Sequence, residues 1–189
     1  MSLRPNRGMV VKALTGLAKI IDAINEHIGR VVAWGAVLMV LIQFVVVLLR
    51  YLFGISFIFV QESLVYIFAT LFMLGAGYTL LHNGHVRVDL FYRTAAPRTK
   101  AWVDLLGVIF LLVPVCVTAW LTGWPYVLAS WAVGEGSRET SGIQAIYLLK
   151  TEILVFAVLV GLQGISVAIH AVRALMGLEE VTREEAPRI

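Results

Sequence analysis

Four long runs of apolar residues carry no Asp, Glu, Lys or Arg: residues 31–49, 63–81, 105–134 and 153–172. A helix rises about 1.5 Å per residue, so about 20 such residues cross the hydrocarbon core of a bilayer. Each run therefore predicts one transmembrane helix, over about 31–49, 63–81, 105–124 and 153–172. The third run is longer than one crossing needs, and the stretch from Pro125 to Trp131 is expected at the interface. No run shows the ten-residue apolar–polar alternation of a barrel strand. The predicted fold class is an all-α membrane protein, one domain over 1–189, with four transmembrane helices and both termini on one side.

A different pattern precedes the first run. Val10, Leu14, Leu17, Ile21, Ile24 and Ile28 are spaced by four, three, four, three and four, which is one face of a helix. Lys12, Lys19, Asp22, Asn25 and Glu26 fill the remainder. Residues 9–28 thus predict an N-terminal amphipathic interfacial helix on the inner leaflet or against a partner. The competing reading packs it on the end of the chain's own bundle. The first run is not read as a signal peptide, because about thirty mixed residues precede it. Residues 179–189, with four glutamates, read as a solvated tail.

Composition agrees with the runs. The chain is 60% hydrophobic and 14% charged, against about 45–50% and 25% for a soluble domain. Disordered, soluble catalytic and nucleic-acid-binding classes are disfavoured at this step. The formal charge is +3, and its distribution changes the picture. Twelve of the fifteen basic residues precede the first run, lie between the second and third, or follow the fourth. Basic segments resist translocation, so both termini are expected in the cytoplasm. Attraction to anionic membrane lipids accounts for the basic balance, and no nucleic acid partner is needed. A single cysteine, Cys116, excludes an internal disulfide framework and a Cys-based zinc site.

Candidate chemistry is sparse. Gln43 and Gln163 are the strongest polar groups within the runs, and such residues read as glue between helices. Ala157 and Gly161, then Gly164 and Ala168, are each four apart; Gly75 and Gly77 lie in the second run. Small residues let backbones approach closely. Pro114 predicts a kink. His82 and His170 fall at the ends of helices 2 and 4, where a facing pair would hold a haem, as in a b-type cytochrome anchor. The competing reading is solvated interfacial histidine. His82, His85 and Asp89 lack an evident fourth ligand for a metal. No nucleophile–base or phosphate-loop pattern occurs, so an enzyme is not expected. A self-sufficient small exporter is a third class; it needs a membrane-embedded carboxylate, and Glu62 and Glu152 lie at helix ends. Arg50 and Glu62 flank an apolar turn and either pair across it or reach water separately. The polar segment with Glu135, Ser137 and Glu139 is the long polar stretch on the outer side, where an external partner is expected.

One motif set is more specific. His85-Val-Arg87-Val-Asp89-Leu-Phe-Tyr92, Arg50-Tyr-Leu-Phe-Gly54, Gln61-Glu62, Pro97-Arg-Thr-Lys-Ala-Trp102-Val-Asp104, Trp124-Pro-Tyr126, Ser130-Trp131, Gly134-Glu-Gly-Ser137 and Lys150 occur in this order. Together they resemble the small membrane subunit, the DctQ family, of tripartite ATP-independent periplasmic (TRAP) transporters, in the subgroup labelled for mannitol or chloroaromatic compounds. The resemblance covers roughly residues 30–173. Gln144 and the Thr151-Glu152 pair stand where many members have proline. The resemblance implies a scaffold subunit of a sodium-coupled, binding-protein-dependent importer of an organic acid or similar small solute, in a bacterial or archaeal inner membrane. It implies two protein partners, a large polytopic membrane subunit and a periplasmic substrate-binding protein. No cofactor is expected on this chain, and sodium is expected in the large subunit. The candidate interface residues are Arg50, Glu62, His85, Arg87, Asp89, Glu135, Ser137, Glu139 and Gln163.

Overall fold

The computed structural model describes residues 6–84, 92 and 95–178. Four helices long and apolar enough to cross a membrane dominate it: α1 (Asn6–Phe53), α2 (Ile58–Leu81), α3 (Pro97–Ala132) and α4 (Ile146–Leu175). No strand occurs among the described residues. The start of α1 and the end of α4 meet, with Asp22 Oδ2 3.4 Å from His170 Nε2. That side of the bundle is termed here the terminal end. The connections over 54–57 and 133–145 lie at the far end.

α1 has 48 residues, about 72 Å at 1.5 Å each. The expected amphipathic segment and the first crossing are thus one helix, with no break near Arg30. Its covered positions recur every three or four residues: Thr15, Ala18, Asp22, Asn25 and Gly29, then Val32, Gly35, Met39, Ile42, Val46 and Leu49. That is the spacing of a helix–helix seam. In the first half this seam is small and polar with Ile21 buried beside it, while Leu14, Leu17, Ile20 and Ile24 are exposed. The segment does pack on its own bundle, through its polar flank and Ile21; Leu14, Leu17 and Ile24 of its apolar face stay outside. Contact with α2 is close. A Cβ at Gly29 would overlap the Tyr78 ring, and one at Gly77 would overlap the Asn25 amide. Gly75 has open space beside it instead.

α4 sits at the centre, packed against all three other helices. Leu154, Ala157, Val160, Gln163, Gly164 and Ser166 are among its buried residues. Gly164 admits the Leu112 side chain of α3 at a distance no Cβ would allow, whereas Gly161 stands in ordinary contact with Cys116.

α3 is α-helical over Pro97–Gly107, π-helical over Val108–Leu112 and α-helical again over Val113–Ala132. Pro114 follows the π turn directly. A proline ring in a regular helix collides with the carbonyl four residues back, here Phe110, and the wider turn gives that carbonyl room. Where a kink is expected at Pro114, the helix has this π turn. The helix also continues through Pro125 to Ala132, so the stretch expected at the interface is helical. α2, α3 and α4 end alike, each on a left-handed residue: Asn83 (φ 53°), Gly134 (φ 57°) and Gly177 (φ 70°). The next residue donates back to the carbonyl five before it, as Glu135 N–H does to Ser130 O at 3.0 Å, which closes the last turn.

Candidate functional site

The described polar side chains gather in two clusters, one at each end of the bundle. At the terminal end, α1 contributes Asp22 and Asn25 from its polar seam. Asn25 Nδ2 donates to Gln163 Oε1 at 2.8 Å, and Gln163 Nε2 donates to Asp22 Oδ1 at 2.9 Å. The Ser166 hydroxyl donates to the same Asp22 oxygen at 2.6 Å. Asn25, Gln163 and Ser166 are fully buried. A buried amide or carboxylate is tolerated where its lone pairs and protons find partners; of the Asn25 amide the nitrogen is bonded, and Oδ1 has no hydrogen-bond partner among the described residues. Beside this network, Glu26 takes a hydrogen bond from Arg30 Nε at 2.6 Å and lies 2.6 Å from His82 Nε2. One helical turn of α1 is thereby tied to both α2 and α4.

At the far end, two carboxylates hold the connection between α3 and α4. Glu62, one turn into α2, accepts from the Ser137 hydroxyl at 2.5 Å and from the Ile143 backbone N–H at 2.6 Å. Gly142 passes so close that a Cβ there would strike Glu62 and Ser137. Glu135 accepts from Ser130 at 2.7 Å and pairs with Lys150, whose ammonium lies 4.1 Å from the centre of the Tyr126 ring. The bound Lys150 ammonium, and after it the Ser130 hydroxyl, hold the Glu135 carboxyl below its ordinary value. Trp131 donates to Thr151 at 2.9 Å and packs edge-on against Tyr147. Deeper, Glu152 accepts from Thr70 at 2.6 Å. The tip of the connection, residues 138–141, is exposed.

The family model of the DctQ component of tripartite ATP-independent periplasmic transporters matches residues 39–179, about three-quarters of the chain. The chain belongs to the DctQ family. No curated protein and no solved structure matches it. The DctQ match takes in α2, α3, α4 and the last third of α1. Asp22 and Asn25 lie before it. The chain is thus a transporter component and a multi-pass membrane protein.

Within this DctQ chain the sequence-derived residues meet different fates. Gln163 is glue, as expected, joining α4 to α1. Glu62, Glu135, Ser137 and Glu139 come together at the far end, with the Glu139 N–H donating to Ser137 Oγ at 3.1 Å. Arg50 does not pair with Glu62; the Glu62 carboxylate is taken by Ser137 and Ile143, and Arg50 forms no ion pair among the described residues. His85, Arg87, Asp89 and the tail at 179–189 lie outside the described residues. His82 and His170 do not form a facing haem pair. Each Nε2 points at a different α1 carboxylate, Glu26 and Asp22. No group of three or more His, Cys, Asp or Glu is placed to hold a metal among the described residues. Sequence reading missed Asp22, Asn25 and Ser166 as a unit. The available signal was the three- and four-residue spacing of small and polar positions through Thr15, Ala18, Asp22, Asn25 and Gly29. It also left Glu152 at a helix end, whereas its bond to Thr70 sets it twelve residues into α2.

Proposed function

We infer that this chain is the non-catalytic scaffold subunit of a sodium-coupled, binding-protein-dependent importer of an organic acid or similar small solute. In this reading it sits in the cytoplasmic membrane of a bacterium or archaeon with both termini inside. A large polytopic subunit carries substrate and sodium, and a soluble binding protein delivers substrate at the outer face. The observation that carries the reading is family membership, a match over 39–179 to a TRAP transporter component. The geometry supports a fixed rather than a moving part. The terminal-end network ties α1 to α4 with buried and half-buried hydrogen bonds and α1 to α2 through the exposed Glu26–His82 contact, and Glu62 and Glu135 pin the connection between α3 and α4. A body fastened at both ends resists the relative helix motion that carries a substrate site across a membrane. The pinned connection presents Arg138, Glu139, Thr140 and Ser141 on one exposed tip, a surface suited to a binding protein with complementary charge. Transport sites are commonly built from broken helices in internal repeats; here the one π turn lies in α3, and the two helix pairs share no repeat.

Reconstitution tests the reading. Proteoliposomes receive this chain, the large subunit, or both, each with binding protein and an inward sodium gradient. Only the pair is expected to accumulate substrate. Sodium-driven uptake by this chain alone overturns the scaffold role. Full activity of the large subunit alone makes the chain dispensable.

A further inference from the structure

Gln43 is a polar residue within a membrane run that the described fold leaves without a hydrogen bond. It lies inside the uncharged run 31–49, yet it is exposed and makes no hydrogen bond among the described residues. Arg50 marks the far edge of that run, seven residues or about 10 Å away along the helix, which is beyond the reach of a glutamine side chain. An amide in hydrocarbon with no partner is costly, and polar side chains in membrane helices are usually met by another helix. No described residue of this chain supplies the partner. α2 occupies the adjoining seam of α1, and α4 meets α1 through Asp22 and Asn25 in the other half.

The surroundings of Gln43 define a surface. Ala36, Gln43 and Arg50 recur every seven residues along one flank of α1, and all three are exposed. Val40 (66% exposed) and Val47 (39% exposed) lie beside them. A seven-residue repeat keeps one flank facing a partner helix over a left-handed crossing. Ala36 at one end permits close approach. A second copy of this chain is a poor occupant. A symmetric pair of parallel copies across this flank sets Arg50 against Arg50, and like charges there repel. The flank asks instead for a helix with a hydrogen-bonding side chain at the depth of Gln43 and a carboxylate at the level of Arg50.

We propose that the α1 flank bearing Ala36, Gln43 and Arg50 is the seam on which a transmembrane helix of the large membrane subunit docks. The proposal rests on the scaffold reading and adds the face through which it works. The test uses the two membrane subunits expressed together, with Cys116 unchanged. A photo-crosslinking phenylalanine analogue is placed singly at positions 43 and 47, and as controls at 38 and 45, which are exposed on the opposite flank. Illumination in native membranes is expected to join positions 43 and 47 to the large subunit and to leave 38 and 45 unjoined. In parallel, Gln43→Leu is expected to lower the amount of large subunit co-purifying in mild detergent about threefold, the size of a typical interhelical hydrogen bond in a membrane. Because Gln43 is exposed and makes no hydrogen bond to a described residue of its own bundle, Gln43→Leu is expected to leave the thermal unfolding of the isolated chain unchanged.

Adducts with the large subunit at 38 and 45 but not at 43 overturn the proposal while the scaffold reading stands. So do adducts of twice the mass of this chain, or adducts with lipid only at 43, when the wild-type chain still holds the large subunit. If the wild-type chain does not retain the large subunit at all, both the proposal and the reading beneath it fall.

Discussion

Gln43 and Gln163 look alike in sequence, each an uncharged amide within an apolar run, but only one of them is used inside the fold. Gln163 accepts from Asn25 and donates to Asp22. Replacing it by Leu strips a partner from both, and each buried group left short costs about 1–3 kcal/mol. Gln163→Leu is therefore expected to lower the thermal unfolding temperature of the detergent-solubilised chain; an unchanged transition would show that the network adds no stability. That Gln163 joins helices was legible from the sequence. Its partners were not, because Asp22 and Asn25 lie in a segment whose charges looked like solvated surface, and the register that brings them to α4 is tertiary. Glu135 gives a residue-scale prediction of another kind. Its carboxyl is held below its ordinary value of 4.5, so the folded state binds its proton less readily than the unfolded chain. The stabilisation is present above pH 4.5 and is lost as pH falls through the lowered value. Acidification is expected to lower the protection factors of the amides over 133–145, measured against the unfolded-chain rate at each pH, and Glu135→Gln is expected to remove that part of the pH dependence.

At the scale of whole elements, four apolar runs give four helices because an uncharged stretch of that length has one stable form in hydrocarbon. Boundaries were less legible. Lys19, Asp22, Glu26 and Arg30 suggested a separate surface helix, but nothing near Arg30 terminates the backbone, and α1 runs through. The direction of its faces was also hidden. In water the apolar stripe would turn inward; here Asp22 and Asn25 turn inward and Leu17 and Ile20 outward, since lipid or a partner can receive apolar groups. The helix pair α1–α2 depends on Gly77, above which Asn25 sits directly. Gly77→Leu is expected to lever the two helices apart at a cost of about 1–3 kcal/mol. Limited proteolysis between residues 18 and 30 should then quicken, and unaltered cleavage would place the close approach elsewhere.

For the molecule as a whole, the twelve-to-three division of basic residues fixes an expected orientation. In a Cys116→Ser background, single cysteines at Ser56 and Thr140 are expected to react with an impermeant thiol reagent on cells with a permeable outer membrane, and one at Asn83 is not. Labelling at 83 alone would invert the topology. The unbroken length of α1 bears on the bilayer itself. The uncharged run of α1, residues 31–49, is about 28 Å of helix, close to the thickness of the hydrocarbon layer, and the helix continues unbroken from that run back to Asn6. Such a helix leans to match the layer it crosses. Thinner or thicker lipid then changes its slope, and with no hinge along its length a change at one membrane surface swings the opposite tip sideways, so that bilayer thickness becomes a setting for how the far end is presented.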